Sequence, residues 1–194
     1  VALLKESGHK DIRTFSIGFE DIDDETGSEF EYSDQIVSKF QTNHKKYLLS
    51  NKEVLPRLSE AIKNMSEPMV GQDAIAFYLL SEQVSKQTKV VLSGQGADEA
   101  FAGYFWYPRM FKEQGDEVER FSKHYVDRPH HEFLQTVMPF YQGEDHTNKW
   151  LTKEFSKLGA DSFIDKVFRT DMTRLIVDDP VKRVDNMTMA WGLE

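Results

Sequence analysis

Val90 to Tyr104 reads V-V-L-S-G-Q-G-A-D-E-A-F-A-G-Y. Lys89 to Leu92 (K-V-V-L) is short, apolar and β-branched, the pattern of a buried strand. It runs into Ser93-Gly94-Gln95-Gly96, a turn of small residues, and Ala97 and Asp98 then open a helix. A turn at the carboxyl end of a parallel strand is where open α/β sheets bind ligands. Gly94 and Gly96 let the backbone approach a ligand closely and take φ > 0. Asp98 and Glu99 fall in the first helical turn, where carboxylates complement the helix dipole. A carboxylate there also suits Mg²⁺ whose other ligands are phosphate oxygens. The stretch is neither a Walker loop nor a dinucleotide G-x-G-x-x-G fingerprint, and no Lys follows the glycines. On spacing alone it reads first as an ordinary strand-to-helix turn capped by Asp98.

Working outward from this stretch, helices and strands alternate. Val1 to Glu6 followed by Ser7-Gly8 reads as the last turns of a helix with a glycine stop. Arg13 to Phe19 and Lys45 to Leu49 read as strands. Phe30, Ile36, Val37 and Phe40 carry a helical period, as do Ala74, Phe77, Leu80 and Val84. Ser50 and Glu53 form a capping-box pattern ahead of an apolar stripe at Val54, Leu55, Leu58, Ala61, Ile62 and Met65. Pro56 moves the expected start of that helix towards Leu55, because an interior proline costs about 3 kcal/mol. This alternation predicts a parallel sheet with helices on its faces. After Tyr104 the β signal fades, and Arg109–Val126, His131–Phe140, Thr152–Phe168 and Met172–Met189 suit helices. The expected fold is α/β, a parallel sheet with flanking helices, followed by a helical lobe.

Composition narrows the function. With 33 acidic against 24 basic residues the net charge is −9, which disfavours a general binder of nucleic-acid phosphates. There is no cysteine, so disulfides and thiolate metal sites are excluded. The six His show no ligand spacing, and His130-His131 reads as a solvated loop or helix start. No apolar run approaches the roughly 20 residues needed to span a bilayer, and no signal peptide opens the chain. The expectation is a cytoplasmic protein that engages neither membrane nor nucleic acid.

The string L-S-G-Q-G-A-D-E-A-F-A-G-Y resembles the signature of the asparagine synthetase family's synthetase domain. Thr14 to Phe19 (T-F-S-I-G-F) resembles that family's second nucleotide-contacting strand. Glu67-Pro68-Met69 with Ala76 to Ser81, and Arg183 to Glu194, resemble its segments on either side of the signature. The resemblance covers almost the whole chain. Gly103 to Pro108 (G-Y-F-W-Y-P) and Glu67 to Val70 (E-P-M-V) are most similar to the N-acetylglutaminylglutamine amidotransferases.

The resemblance implies an adenine nucleotide alpha hydrolase-like fold of ATP-pyrophosphatase type. It implies one partial synthetase domain over 1–194, with an α/β nucleotide-binding part over 1–103 and a mainly helical part over 104–194. The implied cofactors are ATP and Mg²⁺. The implied chemistry is adenylation of a carboxylate, either aspartate or a blocked glutamine dipeptide, followed by amide formation with glutamine-derived ammonia from a glutaminase domain of the same parent chain. By position, Ile17 contacts the adenine or ribose through its backbone, Ser93, Gly94 and Gly96 line the nucleotide, and Asp98 binds Mg²⁺ with Glu99 close by. Gln95 stands where classical members carry Glu. Gln can hydrogen-bond but cannot take a proton, so any action there is by positioning. That departure keeps alive a non-catalytic nucleotide-binding module on the same scaffold.

The family's S-G-G-x-D-S phosphate loop, its A-R-V-P-F motif and its later catalytic Lys do not occur in these residues. The expectation is therefore weak or no ATP binding by this chain alone. An exposed sheet edge would also leave room for association as a homodimer. Three further stretches read as follows. Glu67 to Asp73 is a turn or an acceptor contact. Asp21 to Glu25 is a solvated acidic loop. Tyr104 to Tyr107 is a packing wedge.

Overall fold

The alternating stretch Arg13–Phe19 forms β1, and Asn43–Leu49 forms β2, two residues longer than the sequence suggests. In this computed structural model the structure describes residues 1–23, 26–69, 71 and 73–194. The strands pair in parallel, Arg13 opposite Asn43 through Phe19 opposite Leu49. A parallel pair needs a crossover. Helix α2, Phe30–Phe40, supplies it and ends where Gln41 turns left-handed at φ 51°. Among the described residues these two strands are the whole sheet. Of the acidic run, Asp24 and Glu25 lie outside the described residues.

Ahead of β1, α1 spans Ala2–Glu6. After β2, α3 spans Asn51–Lys63 and contains Pro56, so the helix does not wait for Leu55. Arg57 pairs with Glu60 at 2.7 Å and with Glu82 at 3.0 Å, which ties the turn beside the proline to the next helix. The expected capping box does not close: the Ser50 hydroxyl donates to Glu20 Oε2 at 2.9 Å instead. The apolar stripe divides as well. Val54, Ala61 and Met65 pack inward, whereas Leu55, Leu58 and Ile62 are exposed. Helix α4, Ala74–Ser85, buries Ala74, Tyr78, Leu79 and Val84.

The chain forms two compact units. The first comprises Val1–Ser93 with Lys182–Glu194, and the second Gly94–Val181. The first has its core at Ala61, Ala74, Tyr78, Leu79 and Met187, with Ile17, Leu49 and Trp191 packed on it. Lys89–Leu92 is not the buried strand its composition suggests. Val91 N donates to Glu194 O at 2.7 Å and Glu194 N to Lys89 O at 2.9 Å, a pairing of one residue rather than a ladder. Val90 and Leu92 remain 66% and 78% exposed. An apolar β-branched run becomes a buried strand only when both a ladder partner and a covering layer meet it.

The second unit is helical throughout: α5 (Ala97–Phe101), α6 (Trp106–Lys112), α7 (Glu117–Tyr125), α8 (His130–Thr136), α9 (His146–Phe155) and α10 (Phe163–Thr170). A π-helical turn over Asp171–Leu175 and a short α11 (Ile176–Asp178) follow; α12, Pro180–Met189, has only its first two residues in this unit and the rest in the first. The long helices expected here are broken by local chemistry. Asp116 and Ser162 each accept backbone N–H bonds and start α7 and α10 afresh inside an expected helix, while Asp145 caps α9 at His146, ahead of the expected Thr152. Tyr107, Met110, Phe121, Leu151, Phe155 and Val167 make the core of this unit. No helix among the described residues is long and apolar enough to cross a membrane.

Candidate functional site

Gly94 to Gly103 forms a tight loop–helix–loop. Gly96 is the N-terminal cap of α5 at φ 91°, a conformation L side chains avoid. A Cβ there would also stand 2.7 Å from Ile176 Cδ1. Gly94 faces open space, with nothing within 4 Å of where a Cβ would sit. The helix closes at Ala102 in the left-handed region, φ 56°, and the Asp98 carbonyl accepts from Ala102 N and, at 3.0 Å, from Gly103 N. This Schellman-type closure folds the chain back over the first turn. A Cβ on Gly103 would overlap Asp98 Oδ1 and lie 2.9 Å from Asp98 Cγ.

The expected site residues thus fall into two groups. Gly94, Gln95, Gly96, Asp98 and Glu99 share this one loop and helix in the second unit, whereas Ile17, on β1, and Ser93 belong to the first. Ser93, Gly94, Gln95 and Asp98 are exposed. Ile17 is half-buried, and its side chain packs on the core of its unit. Among the described residues no three His, Asp or Glu converge as a metal cage. The Asp98 carboxylate does fit Mg²⁺ held in the manner that ion prefers, by one or two carboxylates plus phosphate oxygens. It is an exposed, hard oxygen donor, and the glycine at 103 leaves it its space. The open backbone at Gly94 likewise fits the close approach of a phosphate.

Glu99 behaves differently from Asp98. It is 1% exposed. Its Oε1 accepts the Tyr104 hydroxyl at 2.5 Å, while Oε2 is buried without a hydrogen-bond partner among the described residues. Tyr104 therefore does more than wedge helices apart, although it also stacks on Trp106 at 4.1 Å and packs on Tyr107 at 5.9 Å. A second buried carboxylate, Asp171, is 0% exposed and accepts hydroxyls from Tyr107 at 2.6 Å and Tyr125 at 2.9 Å. Burial pushes the Asp171 carboxyl above the usual carboxylate range, the two tyrosine bonds pull the other way, and the Glu99 charge adds to the rise. Burial, then these carboxylates, raise Tyr104, Tyr107 and Tyr125 well beyond ordinary phenols.

Sequence reasoning passed over Asp171 and Tyr125. A signal existed: Asp171 lies four residues after buried Val167, on the apolar face of its helix. The segment read as a turn or an acceptor contact is anchored from α12. Arg183 pairs with Asp73 at 3.0 Å, Lys182 pairs with Glu67, and Ser66 N donates to Asn186 Oδ1 at 2.8 Å. Val70 and Gln72 of that segment lie outside the described residues.

Comparison with known proteins agrees with the signature. The asparagine synthase family model matches residues 1–194. The chain is 30% identical over 107 residues to asparagine synthetase [glutamine-hydrolyzing] 1 of Bacillus subtilis, covering 55% of this chain and 16% of that protein. It is 36% identical over 93 residues to putative asparagine synthetase [glutamine-hydrolyzing] 2 of Methanocaldococcus jannaschii, covering 48% of this chain and 17% of that protein. A putative asparagine synthetase [glutamine-hydrolyzing] of Mycobacterium bovis is 32% identical over 94 residues, 48% of this chain and 14% of that protein. The match thus spans about a sixth of the length of these relatives. With the family model matched from the first residue to the last, the chain belongs to the asparagine synthase family.

Proposed function

We propose that this chain is part of the synthetase region of an ATP-dependent amidotransferase, an adenine nucleotide alpha hydrolase-like domain acting in the cytoplasm. In the proposed reaction a carboxylate oxygen of the acceptor attacks the α-phosphorus of ATP and pyrophosphate leaves. Ammonia released from glutamine by a partner glutaminase domain then attacks the activated carbonyl carbon. AMP departs with the former carboxylate oxygen, and the nitrogen loses a proton. Mg²⁺ supplies neutralisation of phosphate charge as it builds. The observation that carries the reading is the Gly94–Gly103 loop and helix. Its open backbone, glycine-fixed turn and exposed Asp98 sit in a chain matched end to end by the family model.

Within this reading, Asp98 holds Mg²⁺. Gly94, Gly96 and Ser93 present backbone and hydroxyl groups to the nucleotide, and Ile17 meets its adenine or ribose. Gln95 orients the acceptor carboxylate by hydrogen bonding, since an amide neither carries charge nor takes a proton. Glu99 supports the segment from its buried side through Tyr104. Gln95, together with the E-P-M-V and G-Y-F-W-Y-P stretches, favours N-acetylglutaminylglutamine over aspartate as the acceptor.

The test is pyrophosphate release by the intact protein with Mg-ATP and an ammonia source, comparing the two acceptors. Release with the blocked dipeptide alone is the expected result, and release with aspartate alone would reverse the acceptor assignment. Silence with both, together with Mg-ATP binding that survives Asp98→Asn, would replace the enzyme by a nucleotide-binding module.

A further inference from the structure

Asp171 is buried at a cost that folding alone does not require. Moving a carboxylate from water into a protein interior is unfavourable, and apolar replacements of buried charges are often neutral or stabilising. The two tyrosine hydroxyls at 2.6 and 2.9 Å offset part of that cost. What the charge obtains is a junction. Tyr107 reaches it from α6, Tyr125 from α7, and Asp171 itself opens the π-helical turn. Single π turns inside helices are rare and recur at functional sites.

Two routes lead from this junction to the signature segment. On one side Tyr107 packs on Tyr104, whose hydroxyl holds Glu99 in α5. On the other, the π turn delivers Ile176 against Gly96, the residue that shapes the turn ahead of Asp98. Asp171 thus grips the loop and helix at both ends without touching the exposed face. We propose that Asp171 is a positioning residue for the adenylation step, fixing the Gly94–Glu99 segment through Tyr107, Tyr104 and Glu99 and through Ile176 and Gly96. The inference rests on the function proposed above.

The experiment is Asp171→Asn in the intact protein, read by steady-state pyrophosphate release, by thermal melting and by amide hydrogen exchange over 96–101. Asn keeps the shape and one acceptor oxygen. It loses the charge-assisted bond to one tyrosine. The expected result is a kcat lower by on the order of 10²-fold, the penalty of a displacement near 1 Å in a reacting constellation. KM for ATP should move far less, the melting temperature should hold, and exchange should quicken at 96–101. A purely structural residue would lower melting temperature and folded fraction together and leave kcat per folded molecule unchanged, and that result overturns the proposal. If Asp171→Asn does not fold, Tyr125→Phe replaces it: the ring stays and only the 2.9 Å bond is lost. A wild-type kcat in that variant also overturns the proposal. Should the wild-type protein release no pyrophosphate with any acceptor, the proposed function falls. Exchange at 96–101 then decides whether Asp171 holds the segment at all, and unchanged exchange overturns that too.

Discussion

Gly103→Ala separates the geometry of Asp98 from the stability of the fold. The new methyl would overlap Asp98 Oδ1 and lie 2.9 Å from Asp98 Cγ and 3.1 Å from the Asp98 α-carbon. Carbon pairs rest at about 3.5–4.0 Å, so Cγ must retreat by roughly 1 Å. The crowding against the α-carbon asks α5 to yield by a smaller distance. The exposed carboxylate can swing away by rotating about χ1, so the fold absorbs most of the insult. We expect a stability loss of about 1–3 kcal/mol, the usual range for one methylene forced into a filled space. Function is less forgiving. A catalytic or metal-binding group displaced by about 1 Å costs on the order of 10²-fold in rate. The assays are urea unfolding and Mg-ATP-dependent pyrophosphate release on the same preparation. A folded variant with activity within a few-fold of wild type would refute the reasoning, because Asp98 would then work equally well from another place. Loss of folding would locate the error in the estimate of how far the side chain can yield.

Three other outcomes follow from the same structure. Ala102 holds φ 56° at the closure of α5, and Ala102→Gly should stabilise the protein by about 1 kcal/mol, read as a higher urea midpoint at constant slope. Gly71→Ala places a methyl onto the Arg183 guanidinium, 2.5 Å from its Cζ. It should cost about 1–3 kcal/mol in chemical unfolding and weaken the Arg183–Asp73 pair, whereas Asp73→Asn in the Gly71→Ala background should add little further loss. Asp171 titrates above the usual carboxylate range when folded. Between its unfolded and folded values the native state holds the extra proton, so its contribution to stability falls as pH rises. Wild-type stability minus that of Asp171→Asn should therefore decline as pH rises from about 4, the unfolded carboxylate value, and level off once the folded carboxyl has ionised. A flat or rising difference would mean that Asp171 is not burdened by its burial.

The sequence showed β1 with its observed bounds, α1 to within one residue and the existence of α2, because each has one clear period or stop. Arg13 to Phe19 alternates, Ser7-Gly8 ends a helix, and Phe30 to Phe40 keeps a helical stripe up to left-handed Gln41. It misled where tertiary partners decide. Lys89 to Leu92 has strand composition and lacks a ladder. The Ser50 hydroxyl turned to a glutamate 30 residues away rather than to its own helix. In the helical unit, the caps at Asp116 and Ser162 fell inside segments whose polar-apolar mixture suits one continuous helix, and Asp145 fell in the gap before Thr152. At the site, the signature displayed its glycines and Asp98 openly, since backbone freedom and surface charge are local properties. The Tyr107–Asp171–Tyr125 cluster depends on residues up to 64 positions apart, and no periodicity brings such residues together.

The stacking of Tyr104 on Trp106 also has an optical consequence. Of the three tryptophans in the chain, Trp191 packs in the first unit, while Trp106 and Trp150 belong to the second. Trp106 lies 4.1 Å from the ring whose hydroxyl meets Glu99, so its emission should respond to whatever changes the charge or rotation of that phenol. A protein retaining Trp106 alone would carry its own reporter on the hidden side of the signature helix. One retaining only Trp191 would record events confined to the β-strand unit.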